Sequence, residues 1–197
     1  MAAATGLVAA DGSTRPTIFA EMSALAASTG AANLGQGFPD EDGPEWIREA
    51  AVTAIRGGAN QYPPGRGVPA LRVAVAEHQR RRYGLELDPE TEVLITAGAT
   101  EALTAAILAL AGPGDEVLTI EPFYDSHAAA IALAGATHTT VPLVPNADGF
   151  RLDLDALRAA ATDRTRLILV NTPHNPTGTV LTRVELEAIA AEAERVE

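Results

Sequence analysis

Apolar positions along the chain first indicate two amphipathic helices and then a regular alternation of strands and helices. Residues 44–56 place their apolar side chains on one helical face, with Pro44 at the start and Gly57 at the end. A second helical stretch covers residues 68–83 and ends at Gly84. No regular pattern precedes these stretches, so we predict an irregular start.

From residue 92 onward, short apolar runs alternate with amphipathic stretches. This alternation predicts an α/β fold with a mostly parallel sheet covered on both faces. Thr182 and Glu185 have the spacing of a capping box at the start of the last helix. The predicted strands are residues 92–96, 116–120, 137–144 and 166–171, and the predicted helices are about residues 99–111, 125–134, 153–161 and 182–196.

The composition excludes several functions. The net charge of −12 opposes binding to the phosphate backbone of nucleic acids and to anionic membranes. With no cysteine, the chain has no disulfide, no thiolate nucleophile and no cysteine-ligated metal. No pair of histidines has metal-ligand spacing, so no metal site is predicted. The sequence shows neither a signal-peptide pattern nor a membrane span, and we expect a cytoplasmic protein.

The basic residues are unusual, because all 14 are arginine and none is lysine. A genome that favours arginine codons would reduce the number of lysines throughout a protein. Whatever its origin, the absence removes particular mechanisms, since no side chain of this chain can form a Schiff base.

In α/β proteins, ligands bind beyond the carboxyl ends of the strands. Residues 96–103 combine a predicted strand end, a glycine turn and a helix start. The backbone N–H groups of Ala99, Thr100 and Glu101, with the Thr100 hydroxyl, suit an anion such as a phosphate ester. An ordinary strand-to-helix turn is the alternative.

Two further segments follow predicted strands. Residues 171–178 contain two prolines, two asparagines and a glycine, which force an irregular backbone and allow the Asn175 amide to reach a ligand oxygen. The Asn175–Pro176 bond is a candidate cis peptide. In residues 121–125, Tyr124 is placed to stack on a flat ring, or else to cap the edge of the core.

Five segments in this order resemble the N-terminal half of a class I/II aminotransferase, a pyridoxal-phosphate enzyme of the aspartate aminotransferase superfamily. The nearest branch contains the kynurenine, methionine and N-succinyldiaminopimelate aminotransferases. The resemblance extends from about Asn33 to the end of the chain and implies a three-layer α/β fold, incomplete here. The segments are NLGQGFPD (33–40), NQYPPGRGVPALR (60–72), TAGATEAL (96–103), EPFYD (121–125) and NTPHNPTG (171–178).

The resemblance also implies roles for residues near the cofactor, pyridoxal 5'-phosphate. Ala99, Thr100 and Glu101 would hold its phosphate, largely through backbone amides. Tyr124 would stack on the pyridine ring, and Asn175 would donate a hydrogen bond to the phenolic oxygen.

Other implications concern the substrate and the assembly. Gly37 would line the pocket for the substrate carboxylate, and Tyr62 would reach the neighbouring subunit's cofactor in a homodimer. Residues 1–43 would form an arm and part of a small domain, and residues 44–197 the first part of the large domain. The substrates would be an amino acid and a 2-oxo acid.

In the family that this chain resembles, the Schiff-base lysine lies beyond the NPTG motif, which here means past Glu197. We therefore expect a truncated chain that is inactive alone. Because the family's sheet interleaves strands from both halves, the strand at 166–171 is expected to lack partners on both sides, which predicts poor folding. A C–S β-lyase fragment and a non-catalytic module that binds pyridoxal phosphate are the alternatives.

Overall fold

The computed structural model describes residues 8–9, 11–37, 39 and 41–196. Phe38 and Asp40 of the 33–40 motif lie outside the described residues. The chain divides into two compact units. The helical unit is Pro16–Thr96, and the sheet unit consists of the described residues of 1–15 and 97–197. Within the described part of the chain, no helix is long and apolar enough to cross a membrane.

The helical unit contains three helices: α1 (Ile18–Thr29), α2 (Glu45–Arg56) and α3 (Pro69–Tyr83). The predictions for α2 and α3 are confirmed to within a residue. The irregular start is wrong, because Thr17 caps α1 by accepting a hydrogen bond from the Ala20 N–H at 3.2 Å. Apolar residues occur on all sides of α1 (IFAEMSALAAST), so the helix lacks the one-sided apolar pattern that would have revealed it.

The predicted strand at 92–96 is wrong. Glu92 instead belongs to a turn, where its N–H donates to the Asp88 carbonyl at 2.9 Å and its carboxylate accepts from the Asp88 N–H at 2.7 Å. Ile95 donates its N–H to the Arg66 carbonyl at 3.2 Å. None of the described strands pairs with this segment. An apolar run becomes a strand only when a neighbour supplies a ladder of hydrogen bonds.

The sheet unit contains β1 (Glu116–Glu121), β2 (Thr137–Asn146), β3 (Gly149–Leu152) and β4 (Thr165–Leu169). These four described strands are ordered β3-β2-β1-β4. β1 is parallel to both β2 and β4, and β3 is antiparallel to β2. The mostly parallel sheet is confirmed. Strand β3 was not predicted from the sequence, since it is a short hairpin partner with only Leu152 buried.

Helices cover both faces of the sheet, as predicted. They are α4 (Gly98–Leu110), α5 (Asp125–Ala134), α6 (Leu154–Ala160) and α7 (Arg183–Val196). Val117 of β1 packs in one core with Ile107 of α4 and Ile131 of α5. On the other face, Leu118 packs in a core with residues of α6 and α7, among them Leu157 and Ile189. Neighbouring residues of β1 thus serve opposite faces.

The expectation that the strand at 166–171 lacks partners on both sides is also wrong. β4 pairs with β1, with Leu167 opposite Val117 and Leu169 opposite Thr119. One edge of β4 therefore belongs to the sheet, and the other edge has no partner strand among the described residues. The prediction of poor folding assumed that this strand is isolated, and that assumption does not hold.

Glu185 joins α7 to the sheet unit's core. The predicted capping box is confirmed, because the Glu185 N–H donates to the Thr182 hydroxyl oxygen at 3.3 Å and the Thr182 N–H donates to the Glu185 carboxylate at 2.7 Å. The other carboxylate oxygen accepts the Leu152 N–H of β3, also at 2.7 Å. Burial alone would raise the pKa of Glu185, but the hydrogen bonds from Leu152 and Thr182 outweigh it and lower that pKa.

We expect Glu185→Gln to lower the free energy of unfolding above about pH 4.5 and to flatten its pH dependence. A carboxyl whose pKa is lowered by folding stabilises the protein above its unfolded pKa, and this contribution is lost as the pH falls through the folded value. Urea unfolding followed by circular dichroism at several pH values measures the effect. Glu187→Gln is the matched control on the same helix, because Glu187 is exposed and, among the described residues, pairs only with Arg183, at 2.7 Å. Equal changes in the free energy of unfolding for the two substitutions would contradict the stabilising role given to the Glu185 carboxylate.

Candidate functional site

Three of the segments singled out from the sequence meet at one edge of the sheet. β1 and β4 are parallel neighbours, so Tyr124 and Asn175, which follow their carboxyl ends, lie at the same edge. α4 runs back toward the amino ends of the strands, where the Arg166 side chain donates to the Leu110 carbonyl at 3.3 Å. The N-terminus of α4 therefore lies toward the carboxyl edge.

The first turn of α4 offers backbone donors. The N-cap residue, Ala97, has no side chain that can cap the helix. Glu101 bends back so that its carboxylate accepts the Ala97 N–H. Thr100 accepts a hydrogen bond at its carbonyl from the Thr104 hydroxyl at 2.7 Å, and its own side chain is exposed. A shallow depression of about 480 Å³ borders this turn and is lined by Ala97, Thr100, Glu101, Thr104, Ala105 and Leu108.

Tyr124 is the N-cap residue of α5 and is half-buried. Its carbonyl accepts the His127 N–H at 3.0 Å. The two rings meet edge to face, with centroids 6.0 Å apart and planes at 82°. Next to it, Phe123 makes a similar contact with His138 at 4.6 Å. Tyr124 therefore lies at the strand end with its ring beside that of a histidine.

Asn175 lies in a loop that is closed by hydrogen bonds. Its N–H donates to the Asn171 side chain at 2.9 Å, and its own side chain is exposed, with no hydrogen-bond partner among the described residues. The Asn175–Pro176 bond is cis, as the sequence allowed. His174 holds the loop from inside: its N–H donates to the Thr179 carbonyl at 2.8 Å, and its Nδ1 lies 2.9 Å from the Thr177 hydroxyl.

Two histidines near this edge have lowered pKa values. Burial is the main cause of the lowered pKa of His127, the charge of His174 adds to it, and Asp125 opposes it. The pKa of His138 is likewise lowered by burial and then by His127, against Glu121. Neutral imidazoles are therefore favoured here.

No nucleophile–base pair is formed by the neighbours Ser126 and His127. Both the Ser126 hydroxyl and Nδ1 of His127 are buried without a hydrogen-bond partner among the described residues. Within that same part of the chain, no group of three or more histidine and acidic side chains could hold a metal ion.

Gly37 and Tyr62 belong to the helical unit. A Cβ added at Gly37 would meet no atom within 4 Å, and Tyr62 is 99% exposed. The loop that carries Tyr62 is anchored at Arg66, whose guanidinium donates to the Glu90 carbonyl. Gly67 follows at φ +91°, and the Ile95 side chain occupies the space that a Cβ there would need.

Sequence reasoning did not anticipate the contacts of the histidines beside Tyr124 and Asn175. His127 lies three residues after Tyr124, and His174 immediately precedes Asn175. The signal available in the sequence was this proximity, since two of the four histidines flank the two candidate ring contacts. Their burial and their contacts needed the tertiary structure.

Comparisons with known proteins show the family of this chain. The model of the family described as "Aminotransferase class I and II" matches residues 29–196. A probable N-succinyldiaminopimelate aminotransferase of Mycobacterium tuberculosis is 63% identical over 174 residues, which are 88% of this chain and 44% of that protein. The methionine aminotransferase of Escherichia coli is 48% identical over 173 residues, with the same two coverages.

Solved structures share the fold. The structure of N-succinyldiaminopimelate aminotransferase from M. tuberculosis superposes with a TM-score of 0.88 at 61% identity, covering 92% of this chain and 47% of that one. An aspartate aminotransferase of Thermus thermophilus gives 0.81 at 36% identity. The chain thus has the aspartate aminotransferase-like fold, and it spans about half the length of the relatives that it matches.

Proposed function

Because this chain belongs to the class I and II aminotransferase family, whose members depend on pyridoxal 5'-phosphate, we propose that it supplies the cofactor-holding part of an aminotransferase. The reaction transfers an amino group between an amino acid and a 2-oxo acid. The observation that carries the proposal is the convergence of the α4 N-terminus, Tyr124 and Asn175 on one edge of the sheet.

The first turn of α4 fits the phosphate of the cofactor. Its N-cap residue has no capping side chain, so backbone N–H groups of Ala99, Thr100 and Glu101 are available to an anion that the helix dipole also attracts. The Thr100 hydroxyl adds a donor. The Glu101 carboxylate accepts the Ala97 N–H, so Glu101 acts on a phosphate through its backbone only.

The ring of the cofactor fits between Tyr124 and Asn175. The exposed amide of Asn175 donates a hydrogen bond to the phenolic oxygen and fixes the orientation of the ring. Tyr124 supplies a flat face for stacking. When bound, the cofactor withdraws electrons from the amino acid's α-carbon, which is the chemistry that protein side chains lack.

The remaining assignments rest on the resemblance. Gly37 lines the substrate carboxylate pocket, and Tyr62 reaches the partner subunit's cofactor in a homodimer, a role that suits its nearly complete exposure. Residues 1–43 form an arm and part of a small domain, and residues 44–197 begin the large domain. A cytoplasmic location stays a prediction.

The 197 residues lack the group that moves the proton. In this chemistry a lysine amine binds the cofactor covalently and carries the proton to and from the substrate. The chain contains no lysine. By itself, it is therefore proposed to hold the cofactor without turning over substrate.

We expect Thr100→Val to weaken the binding of pyridoxal 5'-phosphate to the chain about tenfold. A hydrogen bond to a charged group contributes about 1.5–3 kcal/mol, and a factor of ten corresponds to about 1.4 kcal/mol. Isothermal titration calorimetry measures the dissociation constants. Thr104→Val is the matched control, because Thr104 lies one turn further along α4 and its hydroxyl is bonded to the Thr100 carbonyl. Equal weakening by both substitutions would place the phosphate elsewhere.

Mixing the chain with pyridoxal 5'-phosphate and reducing with borohydride should leave no pyridoxyl group on any side chain. Reduction traps a Schiff base, and the chain's only primary amine is its N-terminus. Mass spectrometry of the digested protein locates any adduct. A side-chain adduct would overturn the argument from the missing lysine.

Joining the chain to the part of the M. tuberculosis relative that follows the matched region should restore amino transfer. N-Succinyldiaminopimelate is the first donor to assay, because the relative of that name is 63% identical. Methionine is the second, on the 48% identity of the E. coli enzyme. The chain alone is the control and should be inactive. Product formation without a 2-oxo acid would indicate a C–S β-lyase instead.

A further inference from the structure

His138 lies on β2, a strand to which the function proposed above gives no part. Its Nε2 lies 2.8 Å from the Thr119 hydroxyl of β1, so one of these two groups donates a hydrogen bond to the other. Its ring meets the Phe123 ring edge to face, with centroids 4.6 Å apart and planes at 64°. A half-buried imidazole thus joins the interior of the sheet to the residue that immediately precedes Tyr124.

Thr119 is a fixed attachment point for this imidazole. It is 1% exposed and lies inside β1, where it is opposite Thr140 of β2 on one side and Leu169 of β4 on the other. A strand that is paired on both edges cannot shift without breaking hydrogen bonds in two ladders. The Thr119 hydroxyl also gives the imidazole nitrogen a partner at a place where an unpaired polar atom would be costly. Thr119 therefore fixes the Nε2 end of the His138 ring.

The side chains of His138 and Thr119 can meet because they lie on the same face of the sheet. Val117 is opposite His138 in the parallel pair of β1 and β2, and residues two apart along a strand share a face. Val117 packs with α4 and α5, so this is the face that those helices cover. Phe123 follows the carboxyl end of β1, whereas His138 lies opposite its start. The Phe123 ring therefore extends back over this face to reach the imidazole.

A second contact from β2 holds the other end of the same segment. The Thr140 hydroxyl donates to the Glu121 carboxylate at 3.0 Å. Glu121 is the last residue of β1, so residues 121–123 are attached to β2 at both ends. Because the Thr140 contact is exposed, water competes for it, and we expect it to contribute less than the contact of His138.

The position of Tyr124 follows from that of Phe123. Tyr124 is the N-cap residue of α5, and the half-buried Phe123 ring anchors the backbone directly before it. On the other side, the His127 N–H donates to the Tyr124 carbonyl at 3.0 Å, and the two rings lie edge to face. Phe123 and His138 thus connect this turn to the neighbouring strand, whereas His127 connects it to its own helix.

We propose that His138 is a positioning residue for the cofactor ring, because it binds Thr119, packs against Phe123 and thereby fixes the backbone from which Tyr124 stacks. The proposal rests on the stacking role proposed for Tyr124. A group that binds a flat ring must be held closely in position and angle, and this depends on the residues packed around it. In this role His138 acts through Phe123 and not through a contact of its own with the cofactor.

The test is fluorine NMR of the 197-residue chain with fluorotyrosine at its three tyrosines, without cofactor. Tyr124→Phe assigns the signal of Tyr124, and Tyr62 and Tyr83 of the helical unit are internal references. In His138→Gln we expect the Tyr124 signal to broaden and to move toward the position of an unfolded tyrosine. The two reference signals should keep their positions.

His78→Gln is the matched control. His78 is exposed, and its ring meets that of Tyr83 with centroids 6.0 Å apart and planes at 63°, so the substitution removes the same kind of contact in the other unit. It should move the Tyr83 signal and leave the Tyr124 signal in place. Movement of the Tyr124 signal in this control would show that the readout is not specific and would overturn the proposal.

Two further variants test the path through which His138 acts. Phe123→Leu removes the other ring of the contact and should move the Tyr124 signal as His138→Gln does. The double variant should move it no further, because both substitutions remove the same contact. Thr119→Val keeps the shape of the side chain but removes the hydrogen bond to the imidazole, so we expect a smaller movement in the same direction.

The outcomes that would overturn the proposal are specific. They are an unchanged Tyr124 signal in His138→Gln, or movements in the double variant that equal the sum of the single ones. If His138→Gln fails to fold, Thr119→Val decides, and an unchanged Tyr124 signal in that variant would overturn the proposal. Loss of the folded sheet unit in both variants, measured by circular dichroism, would also overturn it, since His138 would then be needed for folding and not for position.

Addition of pyridoxal 5'-phosphate tests the proposed function separately. It should shift the Tyr124 signal of the wild-type chain, and its dissociation constant should be about fivefold larger in His138→Gln and unchanged in His78→Gln. An effect of His138→Gln on Tyr124 without any response of the wild-type chain to the cofactor would refute the proposed function and leave the hold of His138 on Tyr124 intact. A response to the cofactor with equal dissociation constants for the wild type and His138→Gln would refute the positioning role alone.

Discussion

The pairing of β1 on both of its edges is the constraint on which the sheet unit depends. Its residues Val117 to Ile120 are almost fully buried; Val117 packs in one core, and Leu118 and Ile120 pack in the other. Because β2 and β4 both run parallel to β1, the carboxyl ends of these strands open on the same edge. Every segment proposed to hold the cofactor in this unit is attached to that edge. The pairing of β1 therefore determines both the core of the sheet unit and the edge at which the proposed site lies.

The proposed site divides its chemistry among backbone, aromatic and amide groups, and none of them needs a charged side chain. In the proposed site, the first turn of α4 would attract an anion through backbone N–H groups, which suits a strongly acidic protein that would otherwise repel a phosphate. Tyr124 and Asn175 would orient the cofactor ring. The 197 residues contain no lysine and therefore no primary amine on a side chain. Because the chain belongs to the aminotransferase family, this is the most consequential feature of its composition. In the function proposed above, the unit is organised for binding, and the proton transfer would require a lysine that these 197 residues do not contain.

Most of the fold was predictable from local signals. The helices from α2 to α7 have apolar periodicity or clear caps, and their predicted bounds agree with the structure to within two residues. The errors have physical causes. Helix α1 has apolar residues on all sides, and the segment at 92–96 has the composition of a strand but no partner strand among the described residues. Strand β4 was expected to stand alone because its neighbours were inferred from a family, whereas β1 is available within the chain.

The sequence by itself determined the α/β class, the family and the candidate residues Thr100, Tyr124 and Asn175, because these follow from periodicity, turn chemistry and motifs of adjacent residues. The tertiary structure decided which strands pair and which residues meet. Residues distant along the chain, such as Val117 and Leu167, become neighbours only when β1 and β4 pair side by side. Local sequence encodes local conformation, whereas contacts between elements depend on the packing of the whole unit.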